Sequence, residues 1–155
     1  MTKRFALLIA ALSIFISGQA VSQELIDGRD PQAILNIARG YGSATLSTDS
    51  QGDPKIEGRI GGKEYLVLFY DCTDNRDCRA IQLWAWFNTK NYTHANMAEW
   101  NQNERFGKAY LDTDGDPNIE WEVNLFGGVT HKNLDDNFDW WRLVLEKFGK
   151  FVGKG

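Results

Sequence analysis

Ala44, Leu46, Ile56, Gly58 and Ile60 alternate with Thr45, Ser47, Lys55, Glu57 and Arg59. A period of two puts one set on a buried face and the other in water. The spacing therefore predicts a strand over Ala44–Ser47 and a partner over Lys55–Ile60. Gly61-Gly62 marks a tight turn after it. Tyr65–Tyr70 (YLVLFY) reads as a strand apolar on both faces, and Ala80–Phe87 as another. Phe106–Leu111 precedes a second alternating run, Asn118–Phe126. There Ile119, Trp121, Val123 and Leu125 face in, while Glu120, Glu122 and Asn124 face out. Three stretches follow a helical period instead. Asp30 caps the first and Pro31 suits its opening turn. Ile34, Ile37 and Ala38 share one face, and Gly40 and Gly42 stop it. Asn91–Glu104 is a polar helix with Met97, Trp100 and His94 on its inner side. The last carries Leu134, Phe138, Trp141, Leu145, Phe148 and Val152 at spacings of three and four, an amphipathic stripe. Lys147 and Lys150 near its end suit the helix dipole. The order α-β-β-β-β-α-β-β-α predicts an α+β domain, an antiparallel sheet with packed helices.

One phrase occurs twice in this pattern: GDPKIE at Gly52–Glu57 and GDPNIE at Gly115–Glu120. In both places apolar residues stop at an Asp-rich turn and resume at Ile. The longer match sets ATLSTDSQGDPKIEGRI against AYLDTDGDPNIEWEV, with two residues fewer in the second turn. Gly accepts positive φ, Asp caps turns, and Pro at the start of a return strand needs no ladder hydrogen bond. The phrase therefore reads as one hairpin turn used twice. Calcium is a rival reading, because Asp112, Asp114 and Asp116 have the one-three-five spacing of an EF-hand loop. The sixth position is Pro117 rather than Gly and the twelfth is Val123 rather than Glu, which argues against it. Catalysis by Glu57 and Glu120, at matching places in the two copies, is a further rival, since paired carboxylates cleave glycosides. No metal and no cofactor are expected.

The ends change the picture. MTKRFALLIAALSIFISGQAVSQ has a basic start at Lys3 and Arg4, an uncharged apolar run from Phe5 to Ile16, and small residues before Gln23. This is the layout of a secretory signal peptide over residues 1–22, cleaved after Ala20 or Ser22. The run is short for a bilayer core of ~30 Å. One domain over residues 23–155 would remain, periplasmic or secreted, with no membrane span. Without Lys3 and Arg4 the 17 basic residues fall to 15 against 21 acidic, a net charge of −6. That balance argues against nucleic acid, which needs clustered Lys and Arg. In an exported chain Cys72 and Cys78, in DCTDNRDC, read as a disulfide. Zinc is the alternative. It would need four ligands, and only His94 and His131 could join.

No nucleophile elbow, paired-His metal motif or phosphate loop occurs. The strand at Ala80–Phe87 is unusual, however. Ile81, Leu83, Ala85 and Phe87 form one face. Gln82, Trp84, Trp86 and Asn88 form the other, where two indoles sit between amides. Either the last helix covers them or Trp84 and Trp86 form a partner or homodimer surface. The reading leans to the surface, since exposed apolar faces mark contact sites and Trp is enriched at binding hot spots.

An ordered set of motifs resembles the YbjN family, described as sensory transduction regulators. It comprises Trp100-Asn101, Arg105-Phe106-Gly107-Lys108-Ala109, Leu111-Asp112, Gly115-Asp116 and Gly127-Gly128-Val129. The Cys pair ahead of an alternating strand and the Trp141–Phe148 helix fit as well. The resemblance implies a fold similar to type III secretion chaperones, which often dimerise and bind protein segments. It brings no catalytic residues and gives the motif residues a structural role. The expected function is an exported, non-enzymatic module that binds a protein or peptide or acts in regulation. The alternatives are a small-ligand sensor with an aromatic pocket and a glycoside-active enzyme using Glu57 and Glu120.

Overall fold

The computed structural model describes residues 24–153, so the leader expected at residues 1–22 lies outside the described residues. In chain order the elements are β1 (Leu25–Ile26), α1 (Pro31–Tyr41), β2 (Ser43–Thr48), β3 (Pro54–Ile60), β4 (Lys63–Tyr70), β5 (Ala80–Trp86), α2 (His94–Asn103), β6 (Lys108–Leu111), β7 (Pro117–Asn124), β8 (Val129–Thr130) and α3 (His131–Val152). The fold is α+β. Six strands form one antiparallel sheet in the order β2-β3-β4-β5-β7-β6. The expected order holds, with β1 and β8 added as a separate two-stranded pair.

Alternation decides which sheet face is dry. Ile56, Val67, Ile81, Leu83, Ala85 and Ile119 are fully enclosed and pack with α1 and α3 in one core. All six residues of the predicted α3 stripe are buried, joined by Val144. Trp141 and Phe138 are among the largest, and emptying either site costs about 3–5 kcal/mol. Thr130 caps α3 by accepting from Asn133 N–H, and Asp30 caps α1 by accepting from Ala33 N–H. Gly40 does not stop α1, which runs on to Tyr41. The stop is Gly42, where a Cβ would fall 2.0 Å from the Arg59 carbonyl oxygen. The second helix is shorter than its polar pattern suggests. Thr93 and Asn96 form a reciprocal capping box that fixes its start, and His94 is exposed rather than inward. The strand expected from Phe106 begins at Lys108, because Gly107 has a φ of 80°. A Cβ at Gly107 would lie 2.8 Å from Val144 Cγ1.

The two copies of the repeated phrase build the same turn. Asp49 N–H donates to Asp53 O at 2.9 Å, and Asp112 N–H to Asp116 O at 3.0 Å. Gly52 and Gly115 N–H donate back to the Asp49 and Asp112 carbonyls. Asp49 Oδ1 accepts from Gln51 and Asp53 N–H, and Asp112 Oδ1 from Asp114 and Asp116 N–H. The bonding aligns Asp49 with Asp112 and Asp53 with Asp116, so the turns have equal length. The two-residue difference read from the sequence is corrected, because Ser50 and Gln51 take the places of Thr113 and Asp114.

Candidate functional site: the open face of the sheet

The helices pack on one face of the sheet, and the other is uncovered among the described residues. Register gives its layout. One row runs straight across all six strands: Thr45, Glu57, Leu66, Trp84, Glu120 and Lys108. The next holds Ser47, Lys55, Leu68, Gln82 and Glu122. On the other side Trp86, Asn118 and Tyr110 are paired in line. Leu66, Leu68 and Trp84 are half-buried and Trp86 is 40 % exposed. The last helix does not cover Trp84 and Trp86; its apolar stripe is spent on the opposite face.

The two indoles stack, with centroids 5.1 Å apart and planes 30° apart. Trp84 Nε1–H donates to Asn118 Oδ1 at 2.9 Å. The Asn118 amide donates to Asp112 Oδ2 and to Asp116 O, so the β6–β7 turn fixes the ring. Alternation alone would expose Asn118, yet it is 1 % exposed. Sequence reasoning missed it; the only signal was an Asn where the first copy of the phrase has Lys55.

Charges ring this apolar centre in pairs. Lys55 meets Glu57 at 2.9 Å, Lys108 meets Glu120 at 2.6 Å, and Arg59 meets Glu64. Lys55 holds the Glu57 carboxyl below its usual range, and Glu120 raises the Lys108 ammonium. Burial is the main cause that raises the Tyr70 and Tyr110 phenols. Glu57 and Glu120 do share this face, but β4 and β5 lie between their strands. Three strand spacings place them about 14 Å apart. A glycosidase pair needs roughly 5–9.5 Å, and Leu66 and Trp84 fill the interval. The geometry does not make them a catalytic pair.

The other motif residues do structural work around the site. Trp100 Nε1–H donates to Gly107 O, and its ring meets Phe148 edge-on at 4.9 Å. The Asn101 side chain copies a missing strand: Oδ1 accepts from Ala109 N–H at 2.8 Å and Nδ2–H donates to Ala109 O at 2.9 Å. It caps the β6 edge with the group a neighbouring strand would supply. Phe106 lies between Trp121 and Trp140, with the Arg105 guanidinium 4.4 Å over its ring. Gly127 and Gly128 both have positive φ, and Gly128 N–H donates to Leu125 O. A Cβ on Gly128 would come within 2.8 Å of Leu25 Cβ, so this pair admits β1 beside β8. The Cys72 and Cys78 sulfurs are joined in a disulfide.

The rival metal loop has its oxygens committed elsewhere. Asp112 Oδ1 faces two backbone N–H groups, which hold its carboxyl below the ordinary range. Lys90 Nζ donates to Asp114 O at 3.0 Å and to Asp116 Oδ1 at 2.8 Å. Among the described residues no group of three or more His, Cys, Asp or Glu is placed to hold a metal ion. No described helix is long and apolar enough to cross a membrane.

A one-sided α+β sheet, a stacked indole pair on its open side and a distributed set of structural motifs define a binding or regulatory module. The chain belongs to the YbjN family, described as "Putative bacterial sensory transduction regulator", whose model matches residues 30–154. That description names regulation and no reaction. No curated protein matches the chain.

Proposed function

We propose that the protein is an exported, non-enzymatic module that engages a protein partner in the cell envelope through the open face of its sheet. The observation that carries this reading is the Trp84–Trp86 stack, half in water, with Leu66 and Leu68 beside it and paired charges around it. An apolar, aromatic centre with a polar rim is the anatomy of a protein interface, and Trp supplies its hot spots. The leader-like N-terminus and the disulfide support work outside the cytoplasm. In this reading the module acts in a chaperone-like manner, offering one sheet face to a client segment. Dimerisation by the same face is the other protein-binding form of the proposal.

The test is capture of partners from an envelope fraction with the wild type and with Trp84→Ser/Trp86→Ser. Both rings point away from the core, so the double variant should keep its fold and lose the captured partner. A variant that unfolds would show that the face supports the core instead. A small-ligand sensor is the second reading. It rests on a depression of about 560 Å³ on this face, bordered by Glu57, Arg59, Glu64, Leu66 and Trp86. Saturable quenching of Trp86 fluorescence by a small molecule, with no protein captured, would favour it.

A further inference from the structure

The two edges of the six-stranded sheet are finished in different ways. At the β6 edge, Asn101 occupies the Ala109 N–H and C=O, α2 lies alongside, and Lys108 stands on the strand. A charged residue and a covering element are the usual means of keeping an edge from pairing with another chain. The β2 edge has neither a charge nor a proline on its strand: it reads Ser-Ala-Thr-Leu-Ser-Thr from Ser43 to Thr48. No strand lies beyond it among the described residues, although α1 contacts β2 much as α2 contacts β6.

The direction of its free groups follows from the adjoining turn. Asp49 N–H points to β3, where it donates to Asp53 O. Backbone groups alternate along an antiparallel strand. Those of Ser43, Thr45 and Ser47 therefore also point to β3, while those of Ala44, Leu46 and Thr48 point outward. The Arg39 guanidinium takes one of these, donating from Nε to Ala44 O at 3.1 Å. A carbonyl oxygen has a second lone pair, so Arg39 leaves the edge able to pair.

We propose that β2 pairs antiparallel with β2 of a second copy of this chain, about a two-fold axis through Leu46. The Leu46 residues of the two copies would exchange both backbone bonds, and Ala44 would do the same with Thr48 of the other copy. Thr45 would stand opposite Ser47 on the open side. Self-complementarity selects this occupant. Ala44 would face Thr48, Thr45 would face Ser47, and Leu46, half-buried in the single chain, would meet its own copy; the one charge brought in is Asp49, opposite the uncharged Ser43 at each end. No charge would stand opposite a like charge in this register. A foreign strand would need pockets for alternate side chains to be recognised. The depression that reaches Ser43 and Thr45 serves only the open-face side chains of such a strand, half of what recognition would need.

The consequence bears on the proposed partner site without resting on it. The axis stands perpendicular to the sheet, so two six-stranded sheets become one with all helices on one side. Both Trp84–Trp86 stacks then face the same way. A partner with two binding segments would meet a bivalent surface, with the gain in apparent affinity that linkage brings.

The test uses sedimentation velocity and amide exchange on the purified protein over a concentration series reaching roughly 500 µM, because a single paired strand makes a small interface. A concentration-dependent dimer is expected, with the Leu46 and Thr48 amides protected only as dimer forms. Thr45→Lys/Ser47→Lys sets lysines opposite each other across the axis and should weaken the dimer about tenfold or more. Thr48→Pro removes one outward donor without adding charge, at an edge position that tolerates Pro, and should weaken it as well. Trp84→Ser/Trp86→Ser should leave it intact, which separates this result from the fate of the partner site. A monomer throughout the series would overturn the proposal. So would a dimer lost with the tryptophans but not with the edge, protection independent of concentration, or protection gained only with an added peptide.

Discussion

In the turn between β2 and β3, the Asn75 amide donates to Gln51 O at 2.9 Å and to Asp53 Oδ1 at 3.0 Å. In the turn between β6 and β7, the Lys90 ammonium donates to Asp114 O and Asp116 Oδ1, the two corresponding acceptors. The repeated phrase builds one backbone and presents one carbonyl and one carboxylate outward. What receives them differs. Asn75 lies inside the disulfide loop, so the first turn is tied to Cys72 and Cys78. The second is tied through Asn118 to the Trp84 indole. Identical local chemistry thus serves an anchor in one place and the aiming of an indole on the open sheet face in the other. The difference is carried by residues outside the repeat and by the single position where Lys55 stands in one copy and Asn118 in the other.

That position should show the largest contrast. Asn118 is enclosed and bonds Asp112, Asp116 and Trp84. Asn118→Ala would leave the Trp84 indole N–H without its acceptor, take one of two bonds from the Asp116 carbonyl, and cost about 1–3 kcal/mol. Lys55→Ala removes an ion pair with an exposed carboxylate and the packing of a half-buried stem, with no buried polar group left unpaired, and should cost about 1 kcal/mol. Urea unfolding of both variants checks this, with Trp fluorescence changed in the first alone. Equal losses would mean that the second turn has no special tie to the open face.

The disulfide should separate the turns next. Its short loop confers about 2 kcal/mol by the chain-entropy argument. Cys72→Ser/Cys78→Ser frees the loop that holds Asn75. Amide exchange should accelerate at Gly52 and Asp53 and stay unchanged at Gly115 and Asp116. Equal acceleration in both turns would show that the disulfide acts on global stability only.

The reasons some of this was legible in the sequence, and some not, are physical. The α3 stripe and the β3 and β7 alternations were readable because period alone decides burial when one face meets a core. Trp84 and Trp86 were placed by parity, and parity put them on the uncovered side. The same parity failed at Asn118, because a hydrogen-bonded amide can be enclosed under an indole on a nominally wet face. β1 and β8 carry no pattern in two residues each; their pairing rests on Gly128 admitting Leu25. The strand-like cap from Asn101 was hidden for a related reason. On a polar helix an amide aimed at a sheet edge looks like an amide in water. The two-residue offset in the repeat came from aligning apolar residues, whereas the turn is defined by bonds to Asp49 and Asp112.

The smallest expected effect is the response to calcium, and it sharpens the comparison most directly. Asp112, Asp114 and Asp116 carry the spacing of a calcium loop, and the first turn keeps only Asp49 and Asp53 at matching places. If spacing ruled, the second turn alone would bind the ion. In the folded chain Asp112 Oδ1 is turned to the Asp114 and Asp116 N–H groups and Oδ2 to Asn118. The remaining outward acceptors meet Lys90. A divalent ion would have to displace an ammonium and re-aim a carboxylate that already closes the turn, and it would still lack the bidentate Glu that completes an EF-hand. Millimolar calcium or a chelator should therefore leave Tm unchanged in the wild type. Lys90→Ala removes the resident cation and tests whether Lys90 alone keeps calcium out. Tm should stay insensitive there too, since Asp112 is still committed to the backbone. A rise approaching ~5 °C for each tenfold increase in calcium, the linkage scale for a saturated site in a small domain, would show that the second turn is a metal loop held shut by one lysine.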